Sequence, residues 1–227
     1  MRSFIVLSYP LSVTTPAPGG RLALKIQVDE TLAMGLPGNT YYYTAWNHAG
    51  THIDAPAHML SNGKPITAYS FDNFVFEQPV LANVPKQDDQ LIVPEDLEPY
   101  EVALKNCDLL LLRTAFSLYR KTDPFRYRER SPGLSVDIAR YLNSNRFPRL
   151  RAIGIDAISM AATNHLSEGI QAHKILFQRE DGSSIFLVED MDLAHDLTAI
   201  ESVFVVPMYI EGLDSSPCTV VAEMAAC

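Results

Sequence analysis

Three short runs of apolar residues constrain the fold of this chain most strongly. They lie at residues 109–112, 152–155 and 203–206, and none contains a charged or polar side chain. A run of this length without alternation is typical of a strand that is buried on both faces, as in a parallel sheet covered by other layers. The three runs therefore predict the central strands of an α/β fold.

The segment after Pro132 has the pattern of a helix. Val136, Ala139 and Leu142 follow one another at helical spacing, Ser135 stands where an N-cap is expected, and Asp137 falls in the first turn. A serine N-cap satisfies free backbone N–H groups, and an acidic residue in the first turn complements the helix dipole. This segment predicts a helix that connects two strands.

A second helix is predicted from about residue 167 to 177. The sequence Asp-Gly-Ser-Ser at 181–184 then predicts a turn, and residues 185–188 predict another strand. The repeated order of strand, helix and strand indicates an α/β fold with mixed sheets. No linker or repeat divides the chain, so residues 1–227 are expected to form one domain.

The segment 22–28 alternates between two kinds of residue. Leu22, Leu24, Ile26 and Val28 are separated by Ala23, Lys25 and Gln27. This period of two predicts a strand with one buried face, at a sheet edge or in an outer layer.

Composition excludes several kinds of partner. With 18 basic and 27 acidic residues, the net charge is −9, which disfavours a nucleic-acid partner. No run approaches the roughly 18 apolar residues of a membrane span, so no membrane partner is expected.

The three cysteines, Cys107, Cys218 and Cys227, form no close pair, and residues 1–13 predict a strand rather than a secretion signal. A reducing, cytoplasmic location is expected.

The segment 48–58 contains most of the candidate metal-binding and catalytic residues. His48, His52, Asp54 and His58 all occupy even-numbered positions, so on an extended chain they would share one face. At roughly 3.3 Å per residue, a straight strand would hold His48 and His58 about 33 Å apart, too far for one ion. The chain must therefore bend if these side chains are to act together.

Gly50 and Pro56 supply the positions for such bends. Imidazole nitrogens combined with a carboxylate suit zinc, manganese or iron, whereas calcium and magnesium prefer oxygen ligands alone. The segment therefore predicts a site for a divalent transition metal.

The same segment resembles the signature of the cyclase family, which includes bacterial kynurenine formamidase and isatin hydrolase. The matching pattern is His48-x-Gly50-Thr51-His52-x-Asp54-x-Pro56-x-His58. Weaker similarity continues at 112–114, 132–135, 152–156, His173 and 188–190, so the resemblance covers about residues 7–208. It implies a metal-dependent hydrolase of small amides or lactams, with a swivelling β/β/α fold and a homo-oligomeric assembly of two or four subunits.

The resemblance also implies roles for individual residues. His48, His52 and Asp54 correspond to metal ligands, and His173 with Glu189 complete one or two metal positions. Asp54 would bridge two ions if both bind, and zinc or manganese is the expected cofactor. His58 corresponds to the catalytic acid/base that works with metal-activated water, although a fourth ligand is the alternative role for this residue.

Aromatic residues flank the motif, so an aryl substrate could stack near the site. The alternative is that these rings pack in the core, and the sequence does not choose among them. The residues in question are Tyr41, Tyr42, Tyr43, Trp46, Phe71, Phe74 and Phe76. The loop 14–19 differs from the Gly-Asp-Pro type of loop that relatives carry, which leaves the substrate open.

Two other functions compete with the hydrolase. His52, Asp54 and His173 fit the facial triad of a non-haem iron oxygenase, although this leaves two histidines of the motif without a role. A metal-binding protein without catalysis is the second alternative.

Three further polar residues lie outside the motif. His165 and His195 are expected at the surface or a helix end. Asp156 is expected either near the site or in structural hydrogen bonds.

Overall fold

A nine-stranded mixed sheet forms the centre of the protein. The structure is a computed structural model that describes residues 2–225, so Cys227 lies outside the described residues. The sheet consists of β1 (Ser3–Val6), β4 (His52–Asp54), β5 (Val75–Phe76), β6 (Pro79–Asn83), β8 (Leu109–Arg113), β10 (Ala152–Ile155), β11 (Phe186–Glu189), β12 (Ile200–Pro207) and β13 (Ser215–Met224). Two pairs of strands lie outside it: β2 (Leu24–Glu30) with β3 (Thr40–Ala45), and β7 (Leu91–Ile92) with β9 (Gly133–Leu134).

The order of the strands places β4 at the junction between two halves of the sheet. The order is β5-β12-β13-β4-β11-β10-β8-β6, and β1 pairs with β13. Strands β6, β8, β10 and β11 are parallel to one another in this order, whereas β4 runs antiparallel to both β11 and β13. The predicted mixed α/β fold is confirmed.

The helices are short, most of them four to seven residues long. They are α1 (Glu101–Leu104), α2 (Tyr119–Thr122), α3 (Pro124–Glu129), α4 (Val136–Leu142) and α5 (Leu166–Phe177). The Ser135 side chain accepts a hydrogen bond of 3.1 Å from the Ile138 N–H, which confirms the predicted cap of α4. Both predicted helices therefore form, and α5 begins one residue earlier than expected.

The parallel strands are covered on both faces, which explains their apolar runs. Leu110, Leu112 and Ile153 point into a core that they share with α4 and α5. Leu109 and Leu111 point into a second core with side chains from β12 and β13. Fully burying each of these leucines stabilises the fold by about 2 kcal/mol. The helices α4 and α5 therefore cover one face of the parallel half of the sheet, and the half that contains β12 and β13 covers the other face.

The prediction for 203–206 is partly wrong. A strand forms, but its residues alternate: Val203 and Val205 are buried, whereas Val206 is 43% exposed. Strand β12 lies between β5 and β13, but only one of its faces is buried, so an uninterrupted apolar run is not sufficient to predict burial on both faces.

The prediction of a buried face for 22–28 is also wrong. Strand β2 begins at Leu24 and pairs only with β3, and Leu22, Ile26 and Val28 are each at least half exposed. No described element packs against this pair closely enough to bury the alternating side chains. Within residues 2–225 there is also no helix that is long and apolar enough to cross a membrane.

Candidate metal centre

Strand β4 sets the geometry of the site. His52 and Asp54 project from one face of the strand, and Ile53 points into the core on the other. On the neighbouring strand β11, Glu189 lies directly opposite His52 in the antiparallel register. Cross-strand partners project to the same side, so the sheet places these two ligand candidates together.

Two bends then bring the remaining histidines of the motif to this face. Gly50 has φ +64°, a conformation that favours glycine, and the chain turns there into β4. After Asp54, a short 3-10 helix over Pro56–His58 folds the chain back. The imidazole centroids of His48 and His58 are 4.3 Å apart. The bends predicted at Gly50 and Pro56 are therefore present.

The donor atoms form two groups that share one carboxylate. His48, Asp54 and His58 each offer a donor atom within 4.8 Å of the others, and so do His52, Asp54 and Glu189. His48 Nδ1 lies 3.1 Å from Asp54 Oδ1, and His52 Nε2 lies 3.3 Å from Glu189 Oε2. Asp54 therefore stands between two places where a cation could bind.

His173 reaches the same cluster from helix α5. Its Nε2 lies 3.3 Å from Glu189 Oε1, on the opposite carboxylate oxygen from the one that faces His52. Helix α5 approaches closely because residue 169 is glycine, where a Cβ would lie 2.3 Å from the Cβ of Ala161. All six residues named by the sequence are thus gathered in one place.

Backbone carbonyls fix the orientation of two imidazoles. His52 Nδ1 lies 2.8 Å from the Gly50 carbonyl oxygen, and His173 Nδ1 lies 2.7 Å from that of Gly169. A carbonyl accepts, so each Nδ1 carries the proton when the ring is neutral, and each Nε2 presents its lone pair to the cluster.

The donor atoms fit a metal ion because two of them make no hydrogen bond, although each lies close to another donor atom of the cluster. Among the described residues, His52 Nε2 and Asp54 Oδ1 are fully buried and make no hydrogen bond. A buried polar atom without a partner costs about 1–3 kcal/mol, so natural proteins rarely leave one. A cation between these atoms would satisfy both of them.

Charges inside the cluster shift the pKa values of its imidazoles and carboxylates. Burial opposes the imidazolium form of His52, but Asp54 and Glu189 outweigh it and raise its pKa to about 9. Burial likewise opposes ionisation of Glu189, yet His173 and His52 hold the pKa of Glu189 well below its usual value. The cluster therefore strongly favours ionised carboxylates, which are the form that binds metal.

Three polar residues around His58 and His48 gave no recognisable signal in the sequence. Asp214 Oδ2 accepts a hydrogen bond of 2.8 Å from His58 Nδ1, and the Asn47 amide donates to Asp214 Oδ1 at 3.0 Å. The Ser215 hydroxyl lies 3.0 Å from His48 Nε2. Asp214 lies immediately before β13 and Ser215 begins it, far along the chain from the motif, so only the folded sheet brings these two side chains to the histidines.

A buried ion pair holds the end of β11 behind Glu189. Asp190 has a positive φ of 54°, and its two carboxylate oxygens accept hydrogen bonds of 2.7 Å from the Arg120 guanidinium. The Tyr127 hydroxyl also donates to Asp190 at 2.6 Å, and the Thr51 hydroxyl donates to the Asp190 carbonyl at 2.6 Å. These contacts tie the strand that carries Glu189 to the strand that carries His52.

A cavity of about 360 Å³ opens onto the cluster. His48, Asp54, His58, His173 and Glu189 line one side of it. Its other walls include Arg21, Trp46, Met59, Leu166 and Ile170. A small molecule in this cavity would therefore meet the ligand cluster and an apolar wall together.

Most of the flanking aromatic residues lie elsewhere. Phe74 and Phe76 are fully buried in the core, and Tyr41 to Tyr43 are exposed on β3. Of the seven aromatic residues considered from the sequence, Trp46 alone lines this cavity.

The polar residues outside the motif lie apart from the cluster. His165 and His195 are exposed as expected, and Asp156 accepts structural hydrogen bonds from Thr114.

Comparison with known proteins agrees with this arrangement. The family model described as putative cyclase matches residues 5–162. The chain belongs to the cyclase family. A kynurenine formamidase from Bacillus thuringiensis subsp. konkukian is 28% identical over 172 residues, which cover 75% of this chain and 73% of the relative.

Solved structures share the fold along nearly the whole chain. Isatin hydrolase A from Labrenzia aggregata has a TM-score of 0.81 at 20% identity, covering 99% of this chain and 94% of its own. A structure described as a potential metal-dependent hydrolase with cyclase activity has a TM-score of 0.74 at 20% identity and covers 100% of both chains. The resemblance inferred from the motif, and the expectation that this cyclase-family protein is an enzyme, are confirmed.

Proposed function

We propose that this chain is a metal-dependent hydrolase that cleaves a C–N bond of a small amide, lactam or related carbonyl compound. One observation carries the proposal: five donor residues converge on β4 and leave a buried nitrogen and a buried oxygen without a hydrogen bond. In this proposal His48, His52, Asp54, His173 and Glu189 hold one or two ions of zinc or manganese. Asp54 belongs to both donor groups, so it would bridge if two ions bind.

A bound divalent ion of this kind supplies a water molecule acidified toward neutral pH and polarises the carbonyl oxygen of the substrate. The chain itself supplies the proton transfer. His58 Nδ1 is engaged by Asp214, so His58 Nε2 is the atom left to take a proton and return it to the leaving nitrogen. Asp214 acts as a positioning residue, because its carboxylate keeps the imidazole in one tautomer.

An aromatic substrate fits the walls of the cavity. The Trp46 ring lines it, and the Arg21 guanidinium lies 5.1 Å from the centroid of that ring. The names of the relatives, kynurenine formamidase and isatin hydrolase, point to aryl amides and lactams as the substrate class. We infer that Trp46 stacks against the substrate ring.

We also propose a homo-oligomer of two or four subunits in a reducing cytoplasm, with no nucleic-acid or membrane partner. Cys107 and Cys218 are free and buried, which suits such a compartment. The solved relatives match nearly the full chain, which supports one catalytic domain over residues 1–227.

Turnover and metal content, measured together, test the proposed roles. The chain is loaded with zinc or manganese and offered N-formyl aryl amines and aryl lactams without oxygen. His58→Ala should keep its metal and lose roughly 10²–10⁴ in kcat. His165→Ala replaces an exposed histidine outside the cluster and should match the wild type. Loss of metal from His58→Ala would make this residue a ligand instead.

His52→Ala tests the ligand set. This variant should lose metal and activity together, because its Nε2 is one of the two unpaired buried atoms. His195→Ala is the matched control at the surface. Full metal content and full activity in His52→Ala would overturn the proposed centre, and turnover that depends on oxygen and iron would favour the oxygenase. A fully metallated chain that cleaves no amide, lactam or lactone would favour a binding protein.

A further inference from the structure

The cavity of the metal centre contains one permanently charged cation. Among the described residues that line it, Arg21 is the only lysine or arginine, and its side chain is exposed. The carboxylates of Asp54, Glu189 and Asp214 line the same cavity. These acidic groups belong to the ligand cluster or contact it, whereas Arg21 contributes positive charge to another part of the wall.

The backbone on both sides of Arg21 is held in place. A 3-10 turn over Pro18–Gly20 leads into Arg21 from the buried Ala17. Ala17 and Ala23 belong to a small core against which Trp46 packs. At the base of the ribbon formed by β2 and β3, the Trp46 N–H also donates to the Ala23 carbonyl at 3.0 Å. Arg21 therefore extends from a fixed backbone next to Trp46.

The Trp46 ring connects Arg21 with the metal centre. Arg21 Cζ lies 5.1 Å from the centroid of the Trp46 ring, and the His48 ring centroid lies 5.2 Å from the same ring. A guanidinium over an aromatic face gains a cation–π contact and keeps its N–H groups free for other partners. A substrate ring in contact with Trp46 would thus have the metal centre and the cation both within reach.

The guanidinium of Arg21 has donors that the protein does not use. Within residues 2–225 it forms no ion pair, and its one hydrogen bond is to the Pro18 carbonyl at 3.3 Å. Elsewhere, Arg120, Arg126 and Arg146 each lie 2.8 Å or less from a carboxylate oxygen. A guanidinium offers five N–H donors in a planar fork that matches a carboxylate. Arg21 is therefore available for a carboxylate that comes from outside the chain.

We propose that Arg21 binds a carboxylate on the substrate, so that the preferred substrate is an aryl amide or lactam that also carries an acidic group. The inference rests on the proposed hydrolase and narrows its substrate class. With a net charge of −9, the chain repels anions over most of its surface, so an anionic substrate needs a local cation.

This placement also orients the substrate. A carboxylate is repelled by Asp54, Glu189 and Asp214 and attracted by Arg21. When the carboxylate is held at Arg21, the uncharged amide is the end that faces the cluster and His58. Holding the reacting group in one orientation is a direct contribution to rate.

The single tryptophan of the chain provides a test without catalysis. Trp46 is that residue, so fluorescence excited where tyrosine does not absorb reports on the cavity. In metal-free protein, benzoate should quench this fluorescence and bind at least about 10-fold more tightly than benzamide, its neutral counterpart, as expected for a hydrogen bond between charged groups. Added salt should reduce the difference.

Two arginine variants decide whether Arg21 is responsible. Arg21→Gln should bind benzoate and benzamide equally. Arg149→Gln is the matched control and should keep the preference, since Arg149 is also exposed and without an ion pair in the described part of the chain but lies outside this cavity. No preference in the wild type, or a preference that survives in Arg21→Gln, would overturn the proposal.

Turnover separates this inference from the proposed function. Metal-loaded protein is offered an N-formyl aryl amine that carries a carboxylate, and the same compound with a carboxamide instead. Arg21→Gln should raise KM for the carboxylate about 10-fold, keep kcat within about twofold, and leave KM for the carboxamide unchanged. Equal KM changes for both compounds would overturn the role of Arg21 and leave the hydrolase intact. Cleavage of neither compound would overturn the hydrolase, while a benzoate preference that depends on Arg21 would still support the carboxylate site.

Discussion

The metal centre and the β2–β3 ribbon depart from ordinary protein packing in opposite ways. At the centre, His52, Asp54 and Glu189 are charged or polar and almost completely buried. On the ribbon, Ile26 and Tyr43 are apolar and more than half exposed. Burying polar atoms and exposing apolar ones both cost free energy. The proposed cation would offset this cost at the centre, whereas no described residue covers the apolar side chains of the ribbon beyond its base.

The two regions also differ in how firmly the chain holds them. His52 and Asp54 lie on a strand paired on both sides, and the Asp190 ion pair fixes the neighbouring strand. The ribbon is paired only with itself beyond its base. The sheet therefore holds the ligand residues of the centre in position, whereas beyond its base the ribbon is held only by the pairing of its own two strands.

The largest expected effect on stability lies at Asp190. Asp190→Asn should lower the free energy of unfolding by about 3–5 kcal/mol, because it leaves the Arg120 guanidinium in a largely buried place without its carboxylate. Urea unfolding measures the change. Asp137→Asn is the control, since Asp137 pairs with Arg140 at the surface and its loss should cost less than about 1 kcal/mol. Equal effects would show that the centre is not held by this ion pair.

The pH dependence of the metal-free protein should come from the centre and not from the ribbon. The pKa of His52 is raised to about 9, so its charged form stabilises the fold below pH 6.5, and this contribution of about 3 kcal/mol is lost as the pH rises to 9. Glu189 and Asp54 have lowered pKa values, so their contributions are lost instead as the pH falls below about 4.

Denaturant unfolding of chelator-treated protein between pH 5 and 10 measures this dependence. Metal-loaded protein should show the opposite slope between pH 6.5 and 9, because imidazole must lose its proton before it binds an ion. His52→Ala should reduce the slope of the metal-free profile in that interval, and the slope that remains should come from His173, whose pKa is also raised by Glu189. A wild-type profile that is flat there would contradict the charged pairs in the cluster.

The smallest effect is expected on the ribbon of the dissociated chain. Val28→Ala should change the free energy of unfolding by less than about 0.5 kcal/mol, because the side chain is half exposed. Ile53→Ala, at a fully buried position of β4, should cost about 2–5 kcal/mol in the same measurement. A large cost at Val28 in the dissociated chain would mean that the ribbon is packed without a partner.

Local patterns predicted much of the fold. The helices at 136–142 and 166–177 follow from apolar spacing and, in the first case, from a serine cap. The buried strands β8 and β10 follow from their apolar runs. The errors at Ile26 and Val206 have one cause: an apolar side chain shows which face would gain from burial, and the tertiary structure decides whether anything covers it.

The same division applies to the candidate site. The motif from His48 to His58 predicted its own bends, because Gly50 and Pro56 limit the backbone locally. Asp214 and Ser215 carry no local pattern, since single acidic residues and serines are common in polar stretches that form no site. They join the site because β13 pairs with β4.

The sequence by itself determined the family, the mixed α/β fold and the six residues now found around Asp54, because backbone preferences, apolar spacing and donor chemistry are properties of neighbouring residues. The tertiary structure decided which side chains orient those donors, that Trp46 faces the cavity and that the ribbon is left uncovered. Those facts depend on contacts between segments far apart in the chain, such as His58 with Asp214, and no local pattern records them.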